Sequence, residues 1–464
     1  MSIISAIMVP HPPLIIPEVG RGQEKVIQKT IGCYGKAAQF IADSKPEVII
    51  VTSPHSVMYS DYLHISPGND AHGDFGQFGA KEKSFRVSYD TEFVSELAKA
   101  SKAEGLSAGT MGESDGRLDH ATMVPIYFLQ KAYGAPLPVP IVRIGLSGLS
   151  ISDHYKLGML IKDTAEKLHR KTSIVASGDL SHVLKTDGPY GFRSEGPVYD
   201  ERIMDVMSRA AFGELFDFDS VFCEKAAECG HRSFVIMAGC FDGVDVQAEA
   251  LSHEDTFGVG YGICTFAPKG VDSTRCFLKQ HNERTAAEAK TKKSTEDEFV
   301  RLARTSLESY ITRHEVIKMP DDLPAELTKK RAGVFVSLHE DGQLRGCIGT
   351  IGPVTSCVAE EIIRNAISAS TQDPRFDPVR PNELDKLVYS VDVLGETEDI
   401  DSPSDLDVKK YGVIVTNGCR RGLLLPNLDG VDTVDYQIAV AKRKAGIRDS
   451  ESVKLQRFEV VRHF

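Results

Sequence analysis

Four short Val/Ile-rich runs constrain the fold of this chain most. They are Ile3–Val9, Glu47–Thr52, Val139–Leu146 and Thr172–Ser177, each bounded by Pro, Gly or Ser. Continuous apolar runs of this length, without polar alternation, read as strands covered on both faces. Between them lie helical patterns. Glu24–Asp43 sets Ile27, Ile31, Tyr34, Ala38 and Ile41 on one face at 3.6-residue spacing, and Ser152–Arg170 repeats this with Tyr155, Met159 and Ala165. Buried strands alternating with amphipathic helices predict an α/β domain, a mixed sheet flanked by helices. Val244–Ser252 and Gly258–Phe266 read as closing strands, which ends this domain near Pro268. The GVGYG within the last run has no helix start after it, so it marks a tight strand rather than a dinucleotide loop.

Composition changes after that point. Lys, Arg, Glu, Ala and Thr dominate Lys269–Ser294, which predicts a solvated helical or flexible linker, its basic AKTKKS included. A second pattern follows, with helices over Glu296–Arg313, Ser356–Thr371 and Val434–Ala445 and strands over Gly333–Leu338 and Leu387–Leu394. The expected organisation is an α/β domain over 1–268, a linker over 269–294 and an α+β domain over 295–464.

Charge and cysteine usage narrow the partners. A net charge of −12 argues against a nucleic-acid-coating surface or a polybasic membrane anchor, leaving a small-molecule ligand as the natural expectation. The nine cysteines are an odd number without a Cys-x-x-Cys pair, which reads as reduced, cytoplasmic usage. The apolar N-terminus lacks a basic flank and a small-residue cleavage site, so it reads as a first strand rather than a signal peptide. No apolar run approaches the ~18 residues of a membrane span. A homo-oligomer is expected.

The histidines carry the functional signal. His11 follows the first strand in VPHPPL, His55 follows the second in TSPHS, and His182 follows the fourth in SGDLSH. In open α/β sheets ligands bind beyond the carboxyl ends of the strands, so three histidines on one rim point to a site. His120 opens an apolar helix in LDHATMVPIYFL and would point from its N-terminus toward the same crevice. Two imidazoles and one carboxylate on one face of an ion leave three positions open, the arrangement non-haem Fe(II) uses with O2. Glu228, in ECGHRS, is the candidate carboxylate, and Asp179, three residues before His182, is the competing one, placed to orient an imidazole.

VPHPPL, SPHS, LDHATMVPIYFL, SGDLSH and ECGHRS, in this order, closely resemble the class III extradiol ring-cleaving dioxygenase (LigB) superfamily and its Memo-like branch. The resemblance implies that His11, His55 and Glu228 ligate the metal. It also implies that His120 and His182 are acid/base residues, and that the substrate is a catechol or related small aromatic cleaved with O2. Fe(II) is the implied metal, with Zn or Cu as alternatives. In Memo-like members the residue matching His182 lies with the metal-site histidines, and a cysteine occurs near the position of Glu228 and Cys229.

LRGCIGTIGP, AISASTQDPRFDPV, YGVIVTNGCRRGLLLPN and the helix ending KRKAGI closely resemble the AMMECR1 domain. Memo-like and AMMECR1 proteins commonly occur with a radical-SAM protein, which the resemblance implies as a partner in an AmmeMemoRadiSam set. Cys347 beside Arg345, after a strand and a polar turn, is a candidate nucleophile or redox thiol with a lowered pKa, the other reading being a buried cysteine in a tight strand. The expectation is therefore a metal-dependent dioxygenase-like oxidoreductase with the AMMECR1 domain as accessory or second catalytic unit. A metal- or thiol-based modification step and a non-enzymatic metal-binding scaffold are the alternatives.

Overall fold

A computed structural model describes every residue of the chain except Ser114 and Asp429. It divides into two compact units, Met1–His281 and Asn282–Phe464. The first contains strands β1 (Ile3–Val9), β2 (Val48–Ser53), β3 (Leu63–His64), β4 (Asp70–Phe75), β5 (Ala80–Ser88), β6 (Ala108–Gly109), β7 (Ile141–Gly145), β8 (Thr172–Ser177), β9 (Val244–Glu254) and β10 (Tyr261–Val271). Its helices are α1 (Pro17–Gly20), α2 (Gln28–Ser44), α3 (Thr91–Ala103), α4 (His120–Tyr133), α5 (Ile151–Lys167), α6 (Glu195–Ser208), α7 (Ser220–Ala226) and α8 (His231–Gly239). A further helix, α9 (Phe277–Thr295), spans the division between the units.

The central sheet runs β7-β2-β8-β1-β10-β9. β7, β2, β8 and β1 are parallel, and β10 and β9 close the sheet antiparallel. Successive strand residues serve opposite faces. Ala6, Met8, Ile50 and Ile174 join one core with residues of α3, α5, α6 and α8. Ile7, Val9, Ile49, Val51 and Val175 join another with residues of α2 and α4. This double coverage is why the parallel strands are uninterrupted Val/Ile runs. Because β1, β2 and β8 are parallel, with Val9 beside Ser177 and Thr52 beside Ala176, the loops leaving all three emerge at one edge.

The observed elements refine the sequence expectations. The predicted helix over 24–43 is a 3₁₀ turn, Gln23–Ile27, followed by α2, because Ile27 leaves helical geometry (φ −115°, ψ 39°). β10 continues past Pro268 to Val271, since a register shift between Pro268 and Gly270 accommodates the missing N–H. The β4–β5 hairpin and the short β3–β6 pair were not foreseen.

The second unit contains α10 (Glu298–Arg313), β11 (Val334–Glu340), β12 (Gln343–Gly349), α12 (Val358–Thr371), β13 (Val388–Leu394), β14 (Glu398–Ile400), β15 (Gly412–Asn417), β16 (Arg420–Leu424), α13 (Val434–Lys444), β17 (Lys454–Phe458) and β18 (Val460–His463), with a single turn α11 at Ala325–Thr328. Two antiparallel sheets, β12-β11-β13-β18 and β14-β17-β15-β16, make it α+β. α10 and α12 cover the first sheet, and Phe335, Leu394, Ile414, Leu423 and Phe458 form a core between the two. Among the described residues no helix is long and apolar enough to cross a membrane.

Candidate metal centre

His11 lies two residues beyond β1, His55 two beyond β2, and His120 is the first residue of α4. The fold brings them together. Ring centroids are 4.9 Å apart for His11 and His55, 4.4 Å for His55 and His120, and 5.5 Å for His11 and His120. One donor atom from each ring falls within 4.8 Å of the others. A second set meeting the same limit is His11, Asp179 and Cys229. His11 is thus the shared member, buried at 1% exposure, while His55 stands at the open side.

Hydrogen bonding fixes which nitrogen of His11 is free. Its Nδ1 lies 3.0 Å from Ser177 Oγ, and that hydroxyl gives its proton to Ala121 O at 2.7 Å. The serine can then only accept, so Nδ1 carries the hydrogen and Nε2 presents a lone pair. Nε2 faces Cys229 Sγ at 3.6 Å and Asp179 Oδ2 at 4.0 Å. His182 is arranged alike: Nδ1 donates to Ala227 O at 2.6 Å, which leaves its Nε2 as an acceptor. Tyr190 sits edge-on to His182, centroids 5.4 Å apart, and Phe78 edge-on to His120 at 5.4 Å.

Two carboxylates set the loops. Asp179 Oδ1 accepts from His11 N at 2.8 Å. Asp119 caps α4 by accepting from Thr122 N at 3.0 Å, and its Oδ1 also accepts from Ser53 Oγ at 2.6 Å. Ser53 Oγ in turn accepts from His55 N at 3.2 Å, so one carboxylate ties the segments carrying His55 and His120. Close approach of Gly178 and Gly230 brings the Cys229 loop onto the Asp179 loop; a Cβ on Gly230 would lie 2.9 Å from Gly178 Cα.

Electrostatics keep the imidazoles neutral. Burial holds His11 well below its usual pKa, with the neighbouring His55 and His120 adding to it. Burial lowers His55 as well, and lowers His120 to about 4 with the help of His55. Burial pushes Asp179 up, and pushes the Cys229 thiol well up with help from the Asp179 and Glu228 carboxylates. Neutral imidazoles with free lone pairs, beside Asp179 and a thiol, fit a divalent first-row cation.

Glu228, the expected third ligand, makes a different contact in this structure. It belongs to neither donor set. Its Oε2 accepts from His231 N at 2.6 Å, so the carboxylate caps α8, where an acidic group is favoured. The next residue, Cys229, takes the place beside His11. His120, expected as an acid/base residue, stands among the ring donors.

The second pair of candidates lies in the other unit. Arg345 and Cys347 both lie on β12, but Arg345 Nε donates to Glu383 Oε2 at 2.7 Å and its Nη1 to Asp377 O at 3.0 Å. Cys347 Sγ accepts from Ser337 Oγ at 3.2 Å. The thiol is raised, not lowered, because burial outweighs the Ser337 hydrogen bond and the Arg375 charge. A raised thiol on a half-buried Cys347 departs from the lowered pKa expected of it. Sequence reasoning also missed Ser53, Asp119, Ser177, Phe78 and Tyr190; the only local signal was Asp119, an acidic N-cap directly before His120.

An open α/β sheet with histidines converging at its carboxyl edge, followed by an α+β unit, defines a dioxygenase-fold protein joined to a second domain. The comparisons bear this out: residues 5–264 match the family described as the catalytic LigB subunit of aromatic ring-opening dioxygenase, and residues 300–463 match the AMMECR1 family. A relative from Clostridium acetobutylicum is 40% identical over 472 residues, covering 100% of this chain and 99% of its own. A Thermotoga maritima protein is 51% identical over 170 residues, 36% of this chain and 98% of its own. A crystal structure of a Pyrococcus horikoshii protein is 34% identical, covering 35% of this chain and 88% of its own with a TM-score of 0.34. The chain belongs to the family that joins a LigB domain to an AMMECR1 domain.

Proposed function

We propose that the first unit is a non-haem Fe(II)-dependent enzyme of the extradiol dioxygenase type, acting on a catechol or related small aromatic, with the AMMECR1 unit as accessory or second catalytic part. The observation that carries this reading is the convergence of His11, His55 and His120, three imidazoles kept neutral and therefore ready to bind a metal. Iron(II) bound there supplies the one-electron chemistry that lets O2 react with an electron-rich ring. His11 and His55 hold the ion, and His120 completes the ring cluster. His182, its Nδ1–H committed to Ala227 O, takes a phenolic proton at Nε2 and returns it as the ring opens. Phe78 and Tyr190 present aromatic surface beside His120 and His182, suited to a flat apolar substrate.

O2 uptake by anaerobically prepared, Fe(II)-loaded protein against a panel of catechols tests this. His55→Ala is expected to lose both metal and uptake. His182→Ala should keep the metal and lose about 100-fold or more in rate, the usual scale of a proton-transfer residue. Full iron loading with no uptake on any catechol overturns the dioxygenase reading.

One observation favours a second reading. The Cys229 thiol stands beside His11 together with Asp179, and thiolate suits softer ions such as Zn(II) or Cu(I). A member of this kind would keep a metal while serving a modification step with a radical-SAM partner, or hold the metal as a scaffold. It predicts stoichiometric metal without O2 uptake, and weaker binding in Cys229→Ser.

A further inference from the structure

Arg143 is among the largest fully buried side chains of the chain, 1% exposed, in a strand otherwise built of apolar residues and glycine. Burying a guanidinium is costly unless its donors are met. The two terminal nitrogens of Arg143 face one segment, and its Nε faces Ser66. Nη2 donates to Glu113 Oε1 at 2.8 Å, Nη1 donates to Arg117 O at 2.6 Å, and Nη1 lies 3.8 Å from Asp119 Oδ2; Nε donates to Ser66 Oγ at 2.7 Å. His64 is fully buried, and burial lowers it with the Arg143 charge, against the opposing pull of Glu113.

That segment leads directly into His120. Asp119 is both the cap of α4 and the acceptor of Ser53 Oγ, which holds His55 N. On the β7 side, Arg143 pairs with Val51, two residues before Ser53. We propose that Arg143 is a positioning residue of the histidine centre: through Glu113, Arg117 and Asp119 it fixes the separation of His55 and His120. The inference rests on the metal-holding reading of those histidines for its consequence, and on the geometry alone for its cause.

The test uses the full chain in two states. In metal-free protein, the ring resonances of His55 and His120 should shift in Arg143→Gln, while those of His182, held by Ala227 O on another loop, stay in place. With Co(II) as probe, the same variant should bind about tenfold more weakly, the scale seen when groups supporting metal ligands are removed, and its visible spectrum at saturation should change. Asp119→Asn, a smaller perturbation, serves where Arg143→Gln does not fold. Combining the two should weaken Co(II) binding less than the sum of the single losses, because both act on one path. Unchanged His55 and His120 resonances in a folded variant, or equal shifts of all histidines, would overturn the proposal. If the parent binds no Co(II), the metal reading falls, and the resonances still decide the role of Arg143.

Discussion

At the scale of single residues, the site is a set of imidazoles whose free nitrogens are chosen by ordinary neighbours. Ser177 decides the tautomer of His11 because its own proton is committed to Ala121 O. Ser177→Ala should therefore lower metal affinity by about tenfold while leaving the fold intact, measured by calorimetric titration. Glu228→Gln should leave affinity within about twofold, since an amide oxygen can still cap α8, whereas Cys229→Ser should change it. The histidines were legible in the sequence because each follows a recognisable strand or opens a helix. Their supporters were not: Ser53 and Ser177 are small polar residues at strand ends, a common occurrence, and only the folded geometry shows what they bond. Glu228 and Cys229 are adjacent, and no pattern along the chain states which one turns toward His11.

At the scale of elements, the parallel strands were readable because helices cover both faces. β1 and β8 fall where the apolar runs predict, and β2 and β7 differ by one or two residues at their ends. The β4–β5 hairpin escaped notice because β5, AKEKSFRVS, is largely charged and exposed on one side, with a buried face of few large apolar groups. Helix packing supplies a prediction. A Cβ on Gly158 would meet Ile236 O, and one on Gly239 would meet Tyr155 O, so α5 and α8 touch backbone to backbone. Gly158→Ala should cost about 2 kcal/mol despite the better helix propensity of alanine, because neither backbone can give way. Denaturant unfolding followed in the first unit checks this.

At the scale of the whole molecule, the chain is two units with separate cores. The α+β pattern of the second was legible from its helices and its first and third strands; the second sheet was not, because its short strands, such as Arg420–Leu424, carry charged residues. Charge there is also a lever on stability. Glu340 is pushed up to about 7 from 4.5 by burial and by the neighbouring Glu383 and Asp341 carboxylates. A carboxyl raised in the folded state adds stability that is fully present below its unfolded value and lost as pH rises through its folded one. The second unit should thus weaken between about pH 4.5 and 7 by roughly 3 kcal/mol on account of this group, and Glu340→Gln should remove that slope and stabilise the unit at pH 8. Thermal melts across that pH range read the effect.

The central claim is that His11 and His55 hold a metal at the carboxyl edge of the sheet. Metal content and affinity of the parent protein beside His11→Ala, His55→Ala and His182→Ala measure it most directly. One tightly held ion per chain is expected in the parent and in His182→Ala, and its loss in the other two. An ion retained at parental stoichiometry and affinity in both His11→Ala and His55→Ala would contradict it.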